Sequence, residues 1–476
     1  MRAGEMSLRR HQSREVIAIV VTRRELIKGG AAAGALLLSR PVGVLAAGLG
    51  PTDEFSTSRA SRLFSGSWLA HADLHNHTLF SDGAGDPAAA FDSMRSAGLD
   101  AAALTDHATV SYGLPVSICP DSACQALAGI DESSWRRSLE LADGAQQDGS
   151  FTAMRGFEWS SPTLGHINVW LSERWTDPLH TGGTTTGEGA AQFIHDEMGV
   201  PAESTKELDD LVRSAPTTGA GMVAFYDWLR SPIDRPLVGG GIDGIAGFNH
   251  PGREPGRFSY FSFHPDLNER IVSIEVFNRK EDYIFEGTTS GARSPINECL
   301  NAGWKVGLLG VTDEHGTDWG YPDGKGRTGL WLKSLTRAGV REAMLARRFF
   351  STRLRGLRLD ASANGVRMGQ ALKHSRGAVT FRIDVDRGRE WWGKPLNVQV
   401  LMAGDVMPTV VHSQDIRVPS RRQRVPSFTC NIDAEDGRWI ALRITDPSEP
   451  ADDRADSTWA SFGNAVAYAS PFFLTP

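Results

Sequence analysis

The chain has 476 residues, of which 40% are hydrophobic, and its 50 basic and 57 acidic side chains give a formal net charge of −7. A chain of this length can bury a large core and usually forms more than one domain. It contains no long block of like charge, which argues against a stable nucleic-acid partner but leaves a small phosphorylated substrate open.

Residues 1–47 have the features of an export signal in the expected order. Residues 22–28 contain a pair of arginines and resemble a twin-arginine motif. An apolar run follows at 29–38, and the small residues at 44–47 suit a signal peptidase. The apolar run of about ten residues is too short to span a bilayer, so no transmembrane anchor is expected after cleavage. The sequence therefore predicts a periplasmic or secreted protein, and an ordinary N-terminal helix is the alternative.

The next part of the chain, up to about residue 350, alternates short apolar runs with helical segments. This alternation predicts β/α units. A helix is expected to begin at Pro87, with Asp86 as its N-cap. Strands are predicted at 101–105, 152–158, 167–171, 242–249, 271–278 and 306–312. Residues 109–150 and 172–240 are interpreted as insertions that shape a pocket.

The pattern changes after residue 350. Residues 379–386 alternate apolar and polar side chains without interruption, and residues 439–445 nearly do so. Such alternation is typical of half-buried strands. The sequence therefore predicts an all-β, sandwich-like domain over residues 354–476.

Residues of metal-ligand type recur in five short motifs. The motifs are HADLHNHTLFSDG (71–83), LTDH (104–107), GFEWSSPTLGHINV (156–169), FNHPG (248–252) and GVTDEH (310–315). The candidate ligands in them are His75, His77, Asp82, His107, Glu158, His166, His250, Asp313 and His315. Several lie at the C-terminal ends of predicted strands, where β/α folds collect catalytic groups. Histidine and carboxylate ligands without thiolate suit Zn, Mn or Fe, so the pattern predicts a multinuclear hydrolytic centre.

The order of these motifs over about residues 68–350 resembles the PHP (polymerase and histidinol phosphatase) superfamily. The resemblance implies an α/β fold, a distorted (β/α)7 barrel over residues 60–350, with two to three divalent metal ions. The architecture with a β-rich tail looks closest to an exported branch of that superfamily. The first ion is expected at His75, His77, Glu158 and Asp313, the second at Glu158, His166 and His250, and the third at Asp82, His107 and His315. Asp82 stands where some members have histidine, which leaves the third site open.

Four residues are candidates for catalysis. Glu158 is expected to bridge two cations, which would generate a bridging hydroxide near neutral pH. Asp106, beside His107, is expected to orient a ligand or move a proton. Arg253 and Arg279 are candidates for neutralising the oxygens of a phosphoryl group, and a surface ion pair is the alternative for each.

The leading hypothesis is a phosphoesterase acting on small phosphate mono- or diesters. A carbamate, ester or amide hydrolase could use the same centre, but a phosphoester site should also present arginine or lysine near the metals. A non-catalytic envelope or metal-binding protein is the third hypothesis. His71 is predicted to be structural, while a Cys119–Cys124 disulfide and two unpaired thiols are equally compatible with the sequence. The sequence does not indicate an oligomeric state.

Overall fold

The computed structural model describes residues 58–108, 129–161, 164–178, 222–236, 239–252, 257–320 and 324–476. The predicted export signal, the Cys119–Cys124 pair, Arg253 and large parts of both predicted insertions lie outside these residues. Within them, no helix is both long enough and apolar enough to cross a membrane.

The first part of the described chain contains eleven strands and five helices of eight residues or more. The strands are β1 (Trp68–Asp73), β2 (Ala101–Leu104), β3 (His107–Ala108), β4 (Thr152–Ser161), β5 (Gly165–Trp170), β6 (Ile245–Phe248), β7 (Ile271–Asn278), β8 (Glu281–Asp282), β9 (Gly307–Val311), β10 (Arg327–Leu332) and β11 (Phe349–Thr352). The helices are α1 (Pro87–Ser96), α2 (Glu132–Ala145), α3 (Met222–Arg230), α4 (Pro295–Ala302) and α5 (Arg337–Leu345).

Helix starts follow from local side-chain chemistry. The Asp86 carboxylate accepts a hydrogen bond from the Ala88 amide at the start of α1, where Pro87 needs no partner for an N–H. Asp131 and Ser134 form a reciprocal capping box at the start of α2. These caps satisfy amides that the first helical turn leaves without an intrahelical partner.

The strands of this region form a mixed sheet. Parallel pairing joins β1 to β2, β2 to β4, β6 to β7 and β7 to β9. Antiparallel pairing joins β4 to β5, β5 to β6 and β1 to β10. The predicted α/β architecture is therefore confirmed, whereas a closed (β/α)7 barrel is not, because antiparallel strands interrupt the parallel series.

The C-terminal region is rich in β structure, as predicted. Its strands are β12 (Arg358–Ala363), β13 (Val366–Arg367), β14 (Ala371–Lys373), β15 (Arg376–Asp386), β16 (Pro395–Met402), β17 (Thr409–Arg417), β18 (Ser427–Asp433), β19 (Trp439–Asp446) and β20 (Asn464–Thr475), with a short 3-10 helix at Arg389–Trp391 and a short α-helix at Ser457–Ala460. A four-stranded sheet has the order β13-β12-β15-β18, and its apolar face packs with that of β16, β19 and β20 around a shared core. Phe381, Val398, Leu442 and Phe472 lie in this core.

One hydrogen-bonded sheet crosses the predicted domain boundary. Strand β20 pairs with β11, and β11 pairs with β10, so the larger sheet runs from β17 in the C-terminal region through to β7 and β8. Near residue 354 the chain leaves the larger sheet and enters the four-stranded sheet, while the hydrogen bonding of the larger sheet continues across this boundary. The exact boundary at 350–354 stays a prediction.

Candidate metal centre

The sheet brings all nine predicted ligand residues to one place. His75 and His77 follow β1, His107 opens β3, and Glu158 lies within β4. His166 lies on β5, His250 follows β6, and Asp313 and His315 follow β9. Their donor atoms form four overlapping groups, and within each group the donor atoms lie within 4.8 Å of one another. The geometry therefore unites the set, and the role of its members as metal ligands stays a prediction.

The first group consists of His75, His77 and Asp313, with Glu158 alongside. The two histidine Nε2 atoms lie 3.0 Å apart, and Asp313 Oδ1 lies 3.5 Å from the first and 3.2 Å from the second. Glu158 Oε1 is 3.2 Å from His75 Nε2, and its Oε2 is 3.5 Å from His77 Nε2. A tetrahedral ion with bonds of about 2.0 Å has donor–donor edges of about 3.3 Å, so these spacings fit one cation.

Glu158 lies where the other groups meet the first. Its side chain is fully buried, and its Oε1 is 3.1 Å from His250 Nε2 and 3.3 Å from His166 Nδ1. The Asn249 amide donates a hydrogen bond of 2.7 Å to the same oxygen. Its Oε2 is 2.6 Å from His107 Nδ1. A carboxylate shared in this way has the position of a bridge between two cations.

A further group surrounds Asp82. One of its oxygens lies 3.5 Å from His107 Nε2 and 3.9 Å from His77 Nδ1, and the other lies 3.4 Å from His315 Nε2. This set matches the third site that the family resemblance implied and adds His77 to it.

Four buried polar atoms of the cluster lack a hydrogen-bond partner among the described residues. They are His77 Nδ1, His166 Nδ1, Glu158 Oε2 and Asp313 Oδ1. His107 Nδ1 lies 2.6 Å from Glu158 Oε2 and also 2.6 Å from Ser160 Oγ, to which it hydrogen-bonds. An unpaired buried polar atom costs about 1–3 kcal/mol, and a bound cation would satisfy such acceptors. The donor set therefore fits divalent cations.

The electrostatics of the cluster favour a cation at its centre. Burial alone would lower the pKa of His75, but Glu158, Glu275 and Asp313 raise it well above its usual value. Burial likewise opposes ionisation of Glu158, yet the neighbouring histidines, led by His107, hold its pKa well below the usual range. Burial lowers the pKa of His77 to about 3. Burial also opposes ionisation of Asp313, yet His75 and His77 hold its pKa well below the usual range, so both carboxylates attract whichever cation is present, a proton or a metal ion.

Glu275 was missed by the sequence analysis. It is buried in β7, where its Oε1 lies 2.8 Å from His75 Nδ1 and its Oε2 accepts hydrogen bonds from the His250 amide at 2.6 Å and from Asn278 at 2.8 Å. A carboxylate on the far nitrogen of a ligand histidine fixes its tautomer and ring orientation. Glu275 thus directs His75 Nε2 towards the cluster. The available signal was a single glutamate inside the apolar run IVSIEVFN.

Asp106 holds the loop that carries His77 and Asp82. Its carboxylate accepts hydrogen bonds from the Thr78 amide at 2.7 Å, from the Thr78 hydroxyl at 3.0 Å and from Ser81 at 2.8 Å. These contacts give Asp106 a positioning role, and its predicted part in proton transfer stays a prediction. Gly83 closes the same loop, where an added Cβ would lie 2.6 Å from the Thr78 nitrogen. Only glycine allows this close approach.

Arg279 contacts two residues of the candidate ligand cluster. Its Nε lies 3.3 Å from Asp313 Oδ2 and its Nη2 lies 3.1 Å from His315 Nδ1, while 53% of the side chain is exposed. Its backbone is left-handed, with φ of 49°, a conformation that costs energy for a residue with a Cβ. Arg253, the other predicted arginine, lies outside the described residues.

An open pocket of about 600 Å³ lies against the cluster. Metal-site residues form one side, and Arg279, Lys280, Tyr283 and Lys325 line the rest together with Asn278 and Glu281. Lys325 pairs with Glu314 at 2.5 Å, whereas Lys280 is exposed and makes no ion pair within the part of the chain that the structure describes. The pocket therefore presents positive charge beside the predicted metal site.

His71 lies apart from the cluster. It belongs to none of the four donor groups, and its buried Nδ1 lacks a hydrogen-bond partner among the described residues. Burial, with help from Arg59 and Arg327, lowers the pKa of His71 from its usual 6.5 to about 3. The ring is therefore a neutral structural group.

No family model and no curated protein sequence matches the chain. Among solved structures, one similar chain is described as a two-domain protein from Bacteroides vulgatus ATCC 8482 containing a predicted PHP-like metal-dependent phosphoesterase. It is 14% identical, with 88% of this chain and 99% of that chain covered and a TM-score of 0.38. A protein described as a predicted metal-dependent phosphoesterase, from Bifidobacterium adolescentis ATCC 15703, is 14% identical, and one described as an amidohydrolase, from Chromobacterium violaceum, is 16% identical. Each covers 52% of this chain and 88% of its own, with a TM-score of 0.24. At such TM-scores these structures transfer no residue roles.

Proposed function

We propose that this chain is a metal-dependent hydrolase that cleaves small phosphate mono- or diesters outside the cytoplasm. The convergence of nine histidine and carboxylate residues around the buried Glu158 carries the proposal. Two to three divalent ions, Zn, Mn or Fe, are the group that this donor set suits. When bound, they would lower the pKa of coordinated water and neutralise ester oxygens.

The protein's own residues hold this site in a fixed geometry. Glu275 fixes the ring of His75, and Asn249 holds one oxygen of Glu158. Asp106 fixes the loop that carries Asp82. When the metal-binding side chains are already held in place, substrate binding does not have to supply the free energy of ordering them.

The charges of the pocket favour a phosphate ester over a neutral carbamate or amide. Arg279 can present guanidinium donors to a phosphoryl group while it remains next to Asp313. Lys280, without an ion-pair partner among the described residues, can neutralise a second oxygen or a neighbouring anionic group. A neutral carbonyl substrate would leave Lys280 without a charged partner among the described residues, whereas Arg279 and Lys325 would keep Asp313 and Glu314.

Export through the twin-arginine route is part of this proposal. It rests on the paired arginines, the apolar run and the small residues near position 47. That route moves folded protein, which suits an enzyme that acquires its metal before it leaves the cytoplasm. Fractionation of cells expressing the full chain would test it, because retention of an uncleaved product in the cytoplasm would contradict export.

A matched substrate panel tests the chemistry. Purified protein loaded with Mn or Zn should hydrolyse nitrophenyl phosphate or bis-nitrophenyl phosphate faster than nitrophenyl acetate or a nitrophenyl carbamate. His75→Ala and Glu158→Ala should abolish the activity and reduce bound metal, whereas His71→Ala, a buried histidine outside the cluster, should retain both. Turnover of the carboxyl esters alone would favour the carbamate, ester or amide hydrolase. Lack of turnover on every ester at full metal occupancy would refute hydrolysis.

A further inference from the structure

A second charged pocket lies in the C-terminal β region. Its volume is about 510 Å³, and five arginines line it: Arg62, Arg382, Arg421, Arg422 and Arg424. The chain as a whole carries a formal net charge of −7, so this concentration of positive charge runs against the overall balance. None of the predicted metal ligands lines it.

Three separate segments build this arginine pocket. The loop between β17 and β18 carries Arg421, Arg422 and Arg424. A turn stabilises this loop: the Ser420 amide donates to Gln423 Oε1 at 2.8 Å, and the Gln423 amide donates to the Ser420 carbonyl at 3.1 Å. Two prolines, at positions 419 and 426, flank the loop and restrict its backbone. The turn therefore fixes the backbone that carries these three arginines.

The other two segments close the pocket around that loop. Arg62 donates a side-chain hydrogen bond to the Gln423 carbonyl, and its backbone amide donates to Asp384 at 2.9 Å. Arg382 projects from β15, and the next residue, Ile383, donates its amide to the Pro426 carbonyl at 3.0 Å. The convergence of the charges is thus fixed by backbone contacts.

Three of the pocket's arginines keep a charge that no described carboxylate neutralises. Asp384, which accepts the Arg62 backbone amide, is buried and pairs with Arg358 at 2.8 Å. Arg382, Arg422 and Arg424 are exposed and have no carboxylate at ion-pair distance within the described ranges. Like charges held together repel one another, so an anion bound among them would relieve that repulsion.

We propose that the arginine pocket binds a compact polyanion that carries two or more phosphate or sulfate groups. Guanidinium groups match such oxygens through paired, parallel hydrogen bonds. Val425 is the one apolar side chain among the described residues that line the pocket, which excludes an apolar ligand. A volume of about 510 Å³ is that of a small-molecule site.

The lining also distinguishes among sources of phosphate. Single-stranded nucleic acids are usually held by aromatic side chains on which bases stack, and none of the described lining residues is aromatic. A membrane surface is broad, and peripheral binding adds apolar side chains that enter the lipid. A concave pocket of arginines therefore favours a free, compact polyanion.

Calorimetric titration with inorganic tripolyphosphate tests the proposal on the full-length, metal-loaded protein. The double variant Arg422→Gln/Arg424→Gln should weaken binding about a hundredfold, since each arginine removed takes away charge-assisted hydrogen bonds that contribute roughly tenfold in affinity. The matched control Arg136→Gln/Arg137→Gln removes two exposed arginines from α2 and should leave the affinity unchanged. Circular dichroism should show that both variants are folded.

Three outcomes would overturn the assignment. One is equal tripolyphosphate binding by the wild type and the Arg422→Gln/Arg424→Gln variant, because the binding would then come from the metal centre or another surface. Another is capture by vesicles of anionic phospholipid without tripolyphosphate binding, which would indicate a membrane surface. The last is binding of a single-stranded oligonucleotide alone, which would indicate nucleic acid.

Discussion

Replacing Glu275 with glutamine should weaken metal binding although Glu275 belongs to none of the donor groups. Three donors converge on its carboxylate: His75 Nδ1 at 2.8 Å, the His250 amide at 2.6 Å and Asn278 Nδ2 at 2.8 Å. A carboxamide has one acceptor oxygen. If that oxygen faces His75, the NH2 group faces the other two donors.

The expected magnitude follows from that mismatch. Each hydrogen bond to a buried charged group contributes about 1.5–3 kcal/mol, so the removal of two such bonds gives an upper limit of about 3–6 kcal/mol in the free energy of unfolding. Loss of a carboxylate that orients a ligand histidine typically costs about 10–100-fold in metal affinity. Chelator competition with elemental analysis measures the affinity, and urea denaturation measures the stability.

A matched control separates the two effects. Asp360 is also a fully buried carboxylate, bonded by Arg367 at 3.0 and 2.6 Å in the four-stranded sheet. Asp360→Asn should reduce stability and leave metal affinity unchanged. If Glu275→Gln binds metal as tightly as the wild type, or if Asp360→Asn weakens binding equally, the positioning role assigned to Glu275 is wrong.

Further changes test the pocket, the loop and the pH dependence. Arg279→Met should lower kcat/KM for a phosphate ester about 100-fold with metal content retained, and an unchanged value would remove Arg279 from substrate binding. Gly83→Ala places a Cβ 2.6 Å from the Thr78 nitrogen and should cost about 1–3 kcal/mol and reduce bound metal; normal metal content would contradict the close approach. His71 has a pKa near 3 in the fold and 6.5 unfolded, so the unfolded chain binds the proton first and stability falls as pH drops below 6.5. Between pH 6.5 and pH 5, the free energy of unfolding should fall by about 2 kcal/mol less in His71→Gln than in the wild type, as measured by urea titration. Equal decreases in the two proteins would refute a buried neutral ring.

Strand positions were predictable where local pattern dominates. The apolar run 271–278 was predicted as a strand and forms β7 with the same bounds, because a buried strand between helical segments has a short continuous apolar run. Strand direction was not predictable. β5 was expected as one more strand of a parallel series, but it turns back directly on β4 and pairs antiparallel with it. Alternation along one strand reveals its faces and carries no information about the direction of its neighbour.

In the candidate site, too, local patterns could be predicted from the sequence, whereas contacts between distant segments could not. His75 and His77 could be identified because residues two apart on an extended segment present the same face. Glu275 could not, since its partner His75 lies 200 positions away and the contact exists only after β7 is placed beside the cluster. Asp106 was recognised, but its binding to Thr78 and Ser81 depends on how the loop folds back.

The role of the C-terminal region follows from its contacts with the pocket wall. Asp282 lies between two pocket-lining residues, and its buried carboxylate accepts a hydrogen bond of 2.8 Å from the Tyr468 hydroxyl. Arg443, also fully buried, donates to that hydroxyl at 3.0 Å, and Arg454 donates to the Asp282 carbonyl at 3.1 Å. Without residues 354–476, the Asp282 carboxylate would keep the Ile284 amide but lose the Tyr468 hydroxyl, and β11 would lose its pairing with β20. The β-rich region is therefore part of the structure that holds the wall of the pocket, and a chain ending at residue 350 would not preserve the site.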